Sequence, residues 1–157
     1  MNKILIGGIL QAKKYTMLKI VGLPNKPGFA GKILTKLGRA NINLHFITQG
    51  EDTHGFATMT LCIDPKNSKE AVEIINSKMI GDDNHSVEET PNISSLTVYG
   101  PHFREKPAIS GEMCSTLGDV GVNILGISTS ISSICCLLKD EDFDRAYDAL
   151  LSVFDLP

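Results

Sequence analysis

The feature that most constrains the fold of this chain is an internal repeat. Leu37-Gly38 recurs 80 residues later as Leu117-Gly118, Ile42-Asn43-Leu44 as Val122-Asn123-Ile124, and Pro27 as Pro107. Gly22 and Gly100 are 78 residues apart, which places a two-residue insertion in the first loop of the second copy. A register kept across a loop, a helix and a strand implies two copies of one supersecondary unit.

In the first copy, Met17 to Leu23 alternates as a strand and meets the turn Pro24-Asn25-Lys26-Pro27-Gly28. From Phe29, apolar Ile33, Leu34, Leu37 and Ala40 fall at helical spacing, and Asn41 closes the segment. Asn43 to Thr48 and Phe56 to Ile63 read as a hairpin around a Gly50 to Gly55 loop. Asp64-Pro65 ends it, Ser68 is the expected helix cap, and Ala71, Val72, Ile74, Ile75 and Met79 mark a second amphipathic helix. After Gly81 to Asn84, His85 to Thr90 reads as the last strand, giving the order βαββαβ.

The second copy reads as strand Ser95 to Tyr99, helix Ala108 to Val120, strands Asn123 to Ser128 and Ser133 to Leu138, and helix Phe143 to Phe154. It then lacks a fourth strand, and a bare sheet edge is a feature folds avoid. The apolar stretch Lys3 to Leu10, followed by Gln11-Ala12-Lys13-Lys14 and not by a cleavage signal, is the strand expected to fill the gap. The expected architecture is therefore α+β, with a first module over 16–91 and a second over 92–157 completed by strand 3–10.

Composition removes several function classes. The 157 residues carry a formal charge of −3 with no block of five like charges, and they contain no Trp, so neither nucleic acid nor a membrane surface is an expected partner. Cys62, Cys114, Cys135 and Cys136 form neither a metal clip nor a disulfide framework, which fits a cytoplasmic setting. A soft-metal carrier needs thiols after its first strand, where this chain has Asn25-Lys26 and Arg104-Glu105. His45, His54, His85 and His102 are scattered without ligand spacing, and no nucleophile has an evident base, so no catalytic residue, metal or cofactor is expected.

What remains is the turn ahead of the first helix, echoed as Glu105-Lys106-Pro107-Ala108. A Pro placed at the first helical position, with free backbone N–H groups behind it and the positive end of the helix dipole, makes a small anion site suited to a carboxylate. Side-chain carbonyls of Asn25, Gln49, Asn43 or Asn123 are available for the ammonium of an amino acid. On spacing alone, the same residues also serve simply to start a helix and cap turns.

Three runs carry a family resemblance: Val21 to Gly28, then Ala40-Asn41-Ile42-Asn43-Leu44 with Gln49, then Gly121-Val122-Asn123-Ile124 with Ile127-Ser128-Thr129-Ser130. Together with Asp140-Glu141-Asp142 and Ala146 to Phe154, they resemble the ACT domain, and specifically the tandem ACT regulatory region of aspartate kinases. The resemblance implies ferredoxin-like modules, the N-terminal strand pairing with the second, and a non-catalytic chain that binds a free amino acid, typically Lys or Thr. The implied ligand contacts are Asn25, Gly28, Phe29, Ala30 and Gln49, with Asn123 and Ile124 completing the pocket from the other module or a partner chain. It also implies a homodimer and a metabolic enzyme partner. Pro107-Ala108 departs from the Pro-Gly of the first turn, so the first module is the expected ligand site. These residues include no nucleotide-binding kinase region, so no phosphoryl transfer is expected of them. A ligand-independent assembly module is the alternative that the same residues leave open.

Overall fold

Alternation of apolar and polar residues builds two long strands at the centre of this fold. A computed structural model describes residues 2–77, 85–101, 103 and 107–157. In it the chain runs β1 (Ile4–Leu5), β2 (Gly8–Pro24), α1 (Phe29–Arg39), β3 (Leu44–Glu51), β4 (Phe56–Ile63), α2 (Ser68–Ile75) and β5 (Ser86–Tyr99). It continues through α3 (Ile109–Asp119), β6 (Gly126–Thr129), β7 (Ser133–Lys139), α4 (Phe143–Val153) and β8 (Phe154–Asp155). The expected turn 81–84, the helix end at Met79, and the residues His102, Arg104, Glu105 and Lys106 lie outside the described residues.

Residues Lys14–Pro91 form one compact unit, and Met1–Lys13 with Asn92–Pro157 form the other. In the first, the strand order is β3-β4-β2-β5, and antiparallel registers join Leu18 to Leu61 and Ile47 to Leu61. A register shift between Ile20 and Leu23 coincides with the left-handed Gly22 (φ 82), a bulge that a glycine accepts without strain. Ile33 and Leu37 of α1 and Ala71 and Ile75 of α2 then close over Leu18, Ile20, Met59 and Leu61 as a fully buried core.

The second unit has the order β2-β5-β7-β6, its outer strand being the N-terminal part of β2. Its core gathers Leu96, Met113, Leu117, Cys136, Leu138, Ala146 and Leu150, with Ile6 from the N-terminal stretch buried among them. Each unit is an α+β layer pair of ferredoxin-like βαββαβ order, the second completed by the N-terminal strand.

Several local expectations are corrected. Lys3–Leu10 is not one strand: β1 pairs in parallel with β8, and the chain bends at Gly7 before β2 begins. The expected helix through Phe154 ends one residue sooner, at Val153: Phe154 leaves α4 with extended dihedrals and pairs with Ile4 as the first residue of β8. The strands read on either side of residues 11–16 and of Pro91 run on as single elements. Lys14 (φ 64) and Asn92 (φ 57) take left-handed dihedrals there, within strands that continue through them. Ser68 is not the cap of α2: Asn67 holds that position, and the Ser68 hydroxyl donates to the Glu89 carboxylate of β5.

Candidate functional site

The first turn owes its shape to one glycine. Gly28 is the N-cap of α1 at φ 83, a left-handed conformation that β-carbon sterics disfavour, and an added Cβ there would meet nothing within 4 Å. The need for glycine is therefore dihedral and not spatial. Pro27 lies one residue ahead of this cap and not at the first helical position, and Pro107 likewise precedes the Ala108 cap of α3. Ala108 sits at φ −79, an ordinary right-handed value, which explains why the second turn dispenses with glycine. The Phe29 N–H turns back to the Lys26 carbonyl at 3.2 Å, and the Lys32 N–H is the donor to the Gly28 carbonyl at 3.1 Å. Ala30 and Gly31 thus present the helix's first N–H groups, which by geometry have no intrahelical acceptor.

The strand registers sort the remaining site residues. Leu23 and Glu51 both pair with Ala57, and Gln49 pairs with Met59, so Gln49 lies at the same end of the sheet as Asn25, Gly28, Phe29 and Ala30. Asn43 precedes Leu44, which pairs with Ile63 at the opposite end. Within this unit Gln49 therefore lies toward the turn's end of the sheet, on β3 with β4 between it and β2, and Asn43 lies toward the other end. The second unit repeats this: β6 starts at Gly126 and not at Asn123, and the Leu125 N–H reaches the Leu137 carbonyl at 2.8 Å. Asn123 and Ile124 lie beyond that end, whereas Thr129 pairs with Ile134 near the Pro107 turn.

At that turn the second unit holds a cavity of about 510 Å³. Phe103, Pro107, Ile109 and Ile134 give it apolar walls, and Ser110, in the first turn of α3, lines it together with Thr129 at the end of β6 and Ser130 of the β6–β7 connection. Ser130 and Ser133 share a hydroxyl hydrogen bond of 2.8 Å, and the Ser130 N–H donates to the Ser133 carbonyl at 2.9 Å, fixing that connection. Ile131 at its tip also lines the cavity and is 65% exposed. None of the described lining residues is charged. Sequence reasoning gave these residues no ligand role, since three separated segments supply them. The one available signal was an exposed-type isoleucine amid Thr129-Ser130 and Ser132-Ser133.

The reactive side chains are employed structurally. Burial, with a smaller contribution from Cys114 and Cys135, pushes the Cys136 thiol up to about 12, so it stays protonated and inert. His45 stacks on Tyr15 at 4.4 Å and bonds the Asp64 carboxylate at 3.1 Å. Among the described residues no group of three or more His, Cys, Asp or Glu is placed to hold a metal, and no helix is long and apolar enough to cross a membrane.

Residues 16–78 match the ACT domain family, and residues 96–154 match a second family that is also described as an ACT domain. The aspartokinase of Mycolicibacterium smegmatis is 29% identical over 160 residues, which is 99% of this chain and 38% of that protein. This chain thus spans well under half of such relatives. The ligand-free regulatory subunit of aspartate kinase from Thermus thermophilus superposes with a TM-score of 0.84 at 22% identity, covering 96% of this chain and 99% of that one. A chain from a structure of aspartokinase alpha and beta subunits superposes at 0.82 with 25% identity, covering 94% and 97%. The chain belongs to the ACT domain family as a tandem pair of modules, and it resembles the C-terminal regulatory region of aspartate kinases.

Proposed function

We propose that this chain is a regulatory protein that binds a free amino acid at its strand-to-helix turns and passes that state to an enzyme through assembly. The observation that carries this reading is the left-handed Gly28 cap, which aims the Ala30 and Gly31 N–H groups past the end of α1. A carboxylate there gains charge-assisted hydrogen bonds and the favourable end of the helix dipole. Asn25 and Gln49 at the same sheet end supply carbonyl oxygens for an ammonium, and Asn123 and Ile124 join from a module of another copy. The reading is that of a non-catalytic, cytoplasmic homodimer, and four cysteines without a disulfide among them support the compartment.

Binding to the native state alone raises stability by about 2.7 kcal/mol at a ligand concentration a hundredfold above Kd. A thermal-shift panel of the common amino acids, followed by calorimetry, is the test: at least one should raise the melting temperature. Flat melts together with absent heats at millimolar ligand would remove the reading.

A second reading makes the chain the regulatory subunit of a separate aspartate kinase. It is favoured by a match that covers almost the whole of a chain described as such a subunit. Co-purification with a kinase-bearing chain from the same cells distinguishes it from a stand-alone sensor.

A further inference from the structure

Three glycines let the N-terminal stretch lie directly against the end of β5. A Cβ at Gly100 would stand 2.8 Å from the Gly7 nitrogen, and one at Gly7 would stand 3.1 Å from the Tyr99 carbonyl oxygen. One at Gly8 would collide with the Tyr99 phenol. Glycine in a strand marks such close approach, and here backbone rests on backbone, with the Gly7 N–H donating to the Tyr99 carbonyl at 2.7 Å. Ahead of Gly7, Ile4 pairs with Phe154 and Leu5 with Asp155. A two-residue pairing has little stability of its own, so a small bias changes how often it opens.

Gly100 also adjoins two parts of the cavity wall in the same unit. A Cβ there would stand 3.0 Å from the Phe103 ring, and the Gly100 N–H donates to the Ser132 carbonyl at 3.0 Å in the β6–β7 connection. Phe103 lines the cavity, as do Ser130 and Ile131 of that connection. The cavity wall and the N-terminal stretch therefore meet at a residue with no side chain to absorb a shift, and close-packed groups pass strain on. Phe103, Ile109 and Ile134 also pack in the apolar cluster that buries Ile6. An occupant of the cavity thus adds contacts to the cluster that holds Ile6 and supports Phe103 against Gly100.

We infer that the N-terminal stretch, residues 4–8, registers occupancy of the cavity beside Ser110: an occupant tightens its hold on β5 and β8 through Phe103 and Gly100. This rests on the functional reading above, in which a ligand enters a strand-to-helix turn, and it names the route by which that binding is passed on. Linkage makes the effect reciprocal, so a partner that draws residues 4–8 away weakens the hold on the occupant.

Amide hydrogen exchange on the full chain tests the route without any ligand. Ser110→Leu sends an apolar side chain into the cavity from its α3 wall, in the manner of an occupant. The Ile6 and Gly7 N–H groups, bonded to the Asp155 and Tyr99 carbonyls, should then exchange more slowly than in the wild type, by about fivefold or more. The Leu150 N–H of α4 should slow less, because a general gain in stability would slow all three alike. Thr129→Ile fills the cavity from β6 should the first variant not fold, and the same result is expected of it. Adding Phe103→Ala to either variant should abolish the slowing, since it removes the ring that meets Gly100. Unchanged exchange at Ile6 and Gly7, equal slowing at Leu150, or slowing that survives Phe103→Ala overturns the inference. Selective slowing in a chain that binds no amino acid would leave the route standing and remove the ligand reading instead.

Discussion

Asp52 shows how much one exposed side chain can organise. Its carboxylate accepts the Phe56 N–H at 3.0 Å and the His54 N–H at 2.7 Å, closing the β3–β4 turn. Those two hydrogen bonds, that of Phe56 first, hold its pKa below the ordinary 3.8. Since the folded value is the lower one, the stabilisation is full above the unfolded value and is lost as pH falls through the folded value. Asp52→Asn keeps an acceptor and removes the titration. Urea unfolding from neutral pH into the acid range should therefore show a shallower loss of stability below 3.8 than in the wild type. Parallel acid limbs would assign the slope to other carboxylates. The sequence showed the loop from its glycines, but not this role. Nor did it show the Ser68–Glu89 bond, because a local cap signal carries no information about a partner 21 residues away. The Gly28 turn was legible, since Pro-Gly ahead of an apolar period is a local signal. Its partition from Asn43 was not, because strand register decides it.

At the scale of the element, the N-terminal stretch is held by close backbone approach. The Gly7 N–H donates to the Tyr99 carbonyl at 2.7 Å, and the Ile6 N–H to the Asp155 carbonyl at 3.0 Å. Ile6 is 3% exposed in the second core, whereas its neighbour Leu5 is 58% exposed. Ile6→Ala should cost about 2–5 kcal/mol in chemical denaturation, and Leu5→Ala should stay within about 0.5 kcal/mol. Equal effects would mean that the second core does not depend on Ile6 in particular. Gly100→Ala is the sharper probe of the approach. Its Cβ would stand 2.8 Å from the Gly7 nitrogen, and backbone cannot swing aside as a side chain does. A loss of about 1–3 kcal/mol is expected, as for overpacking elsewhere. The need for an outer strand was readable from the missing fourth element of the repeat. The parallel β1–β8 pair was not, because two-residue strands leave no periodic signal.

For the molecule as a whole, the arrangement of the two cores along the sequence dictates what can fold apart. Lys14–Pro91 holds a complete βαββαβ order and its own buried cluster, from Leu18 to Ile75. Asn92–Pro157 does not, since its cluster includes Ile6 and its sheet takes its outer strand from the first thirteen residues. Expressed alone, Lys14–Pro91 should give a cooperative melt. Asn92–Pro157 alone should be unfolded or aggregate through the bare β5 edge. Joining Pro157 to Met1 by a flexible linker, in a chain that starts at Asn92 and stops at Lys13, restores the missing strand in cis. Closing such a loop costs only slowly more as the linker lengthens, roughly 0.6 kcal/mol per doubling. The rearranged unit should accordingly recover dispersed amide resonances and a single unfolding transition. If Asn92–Pro157 folds equally well without that strand, the repeat is continuous in sequence and the N-terminal residues are an appendage. The cavity by Ser110 offers a second readout, because α3 closes one of its walls and packs Met113 and Leu117 into the same core as Ile6. An amino acid that stabilises the full chain through this cavity should also stabilise the rearranged unit, and it should leave Lys14–Pro91 unchanged.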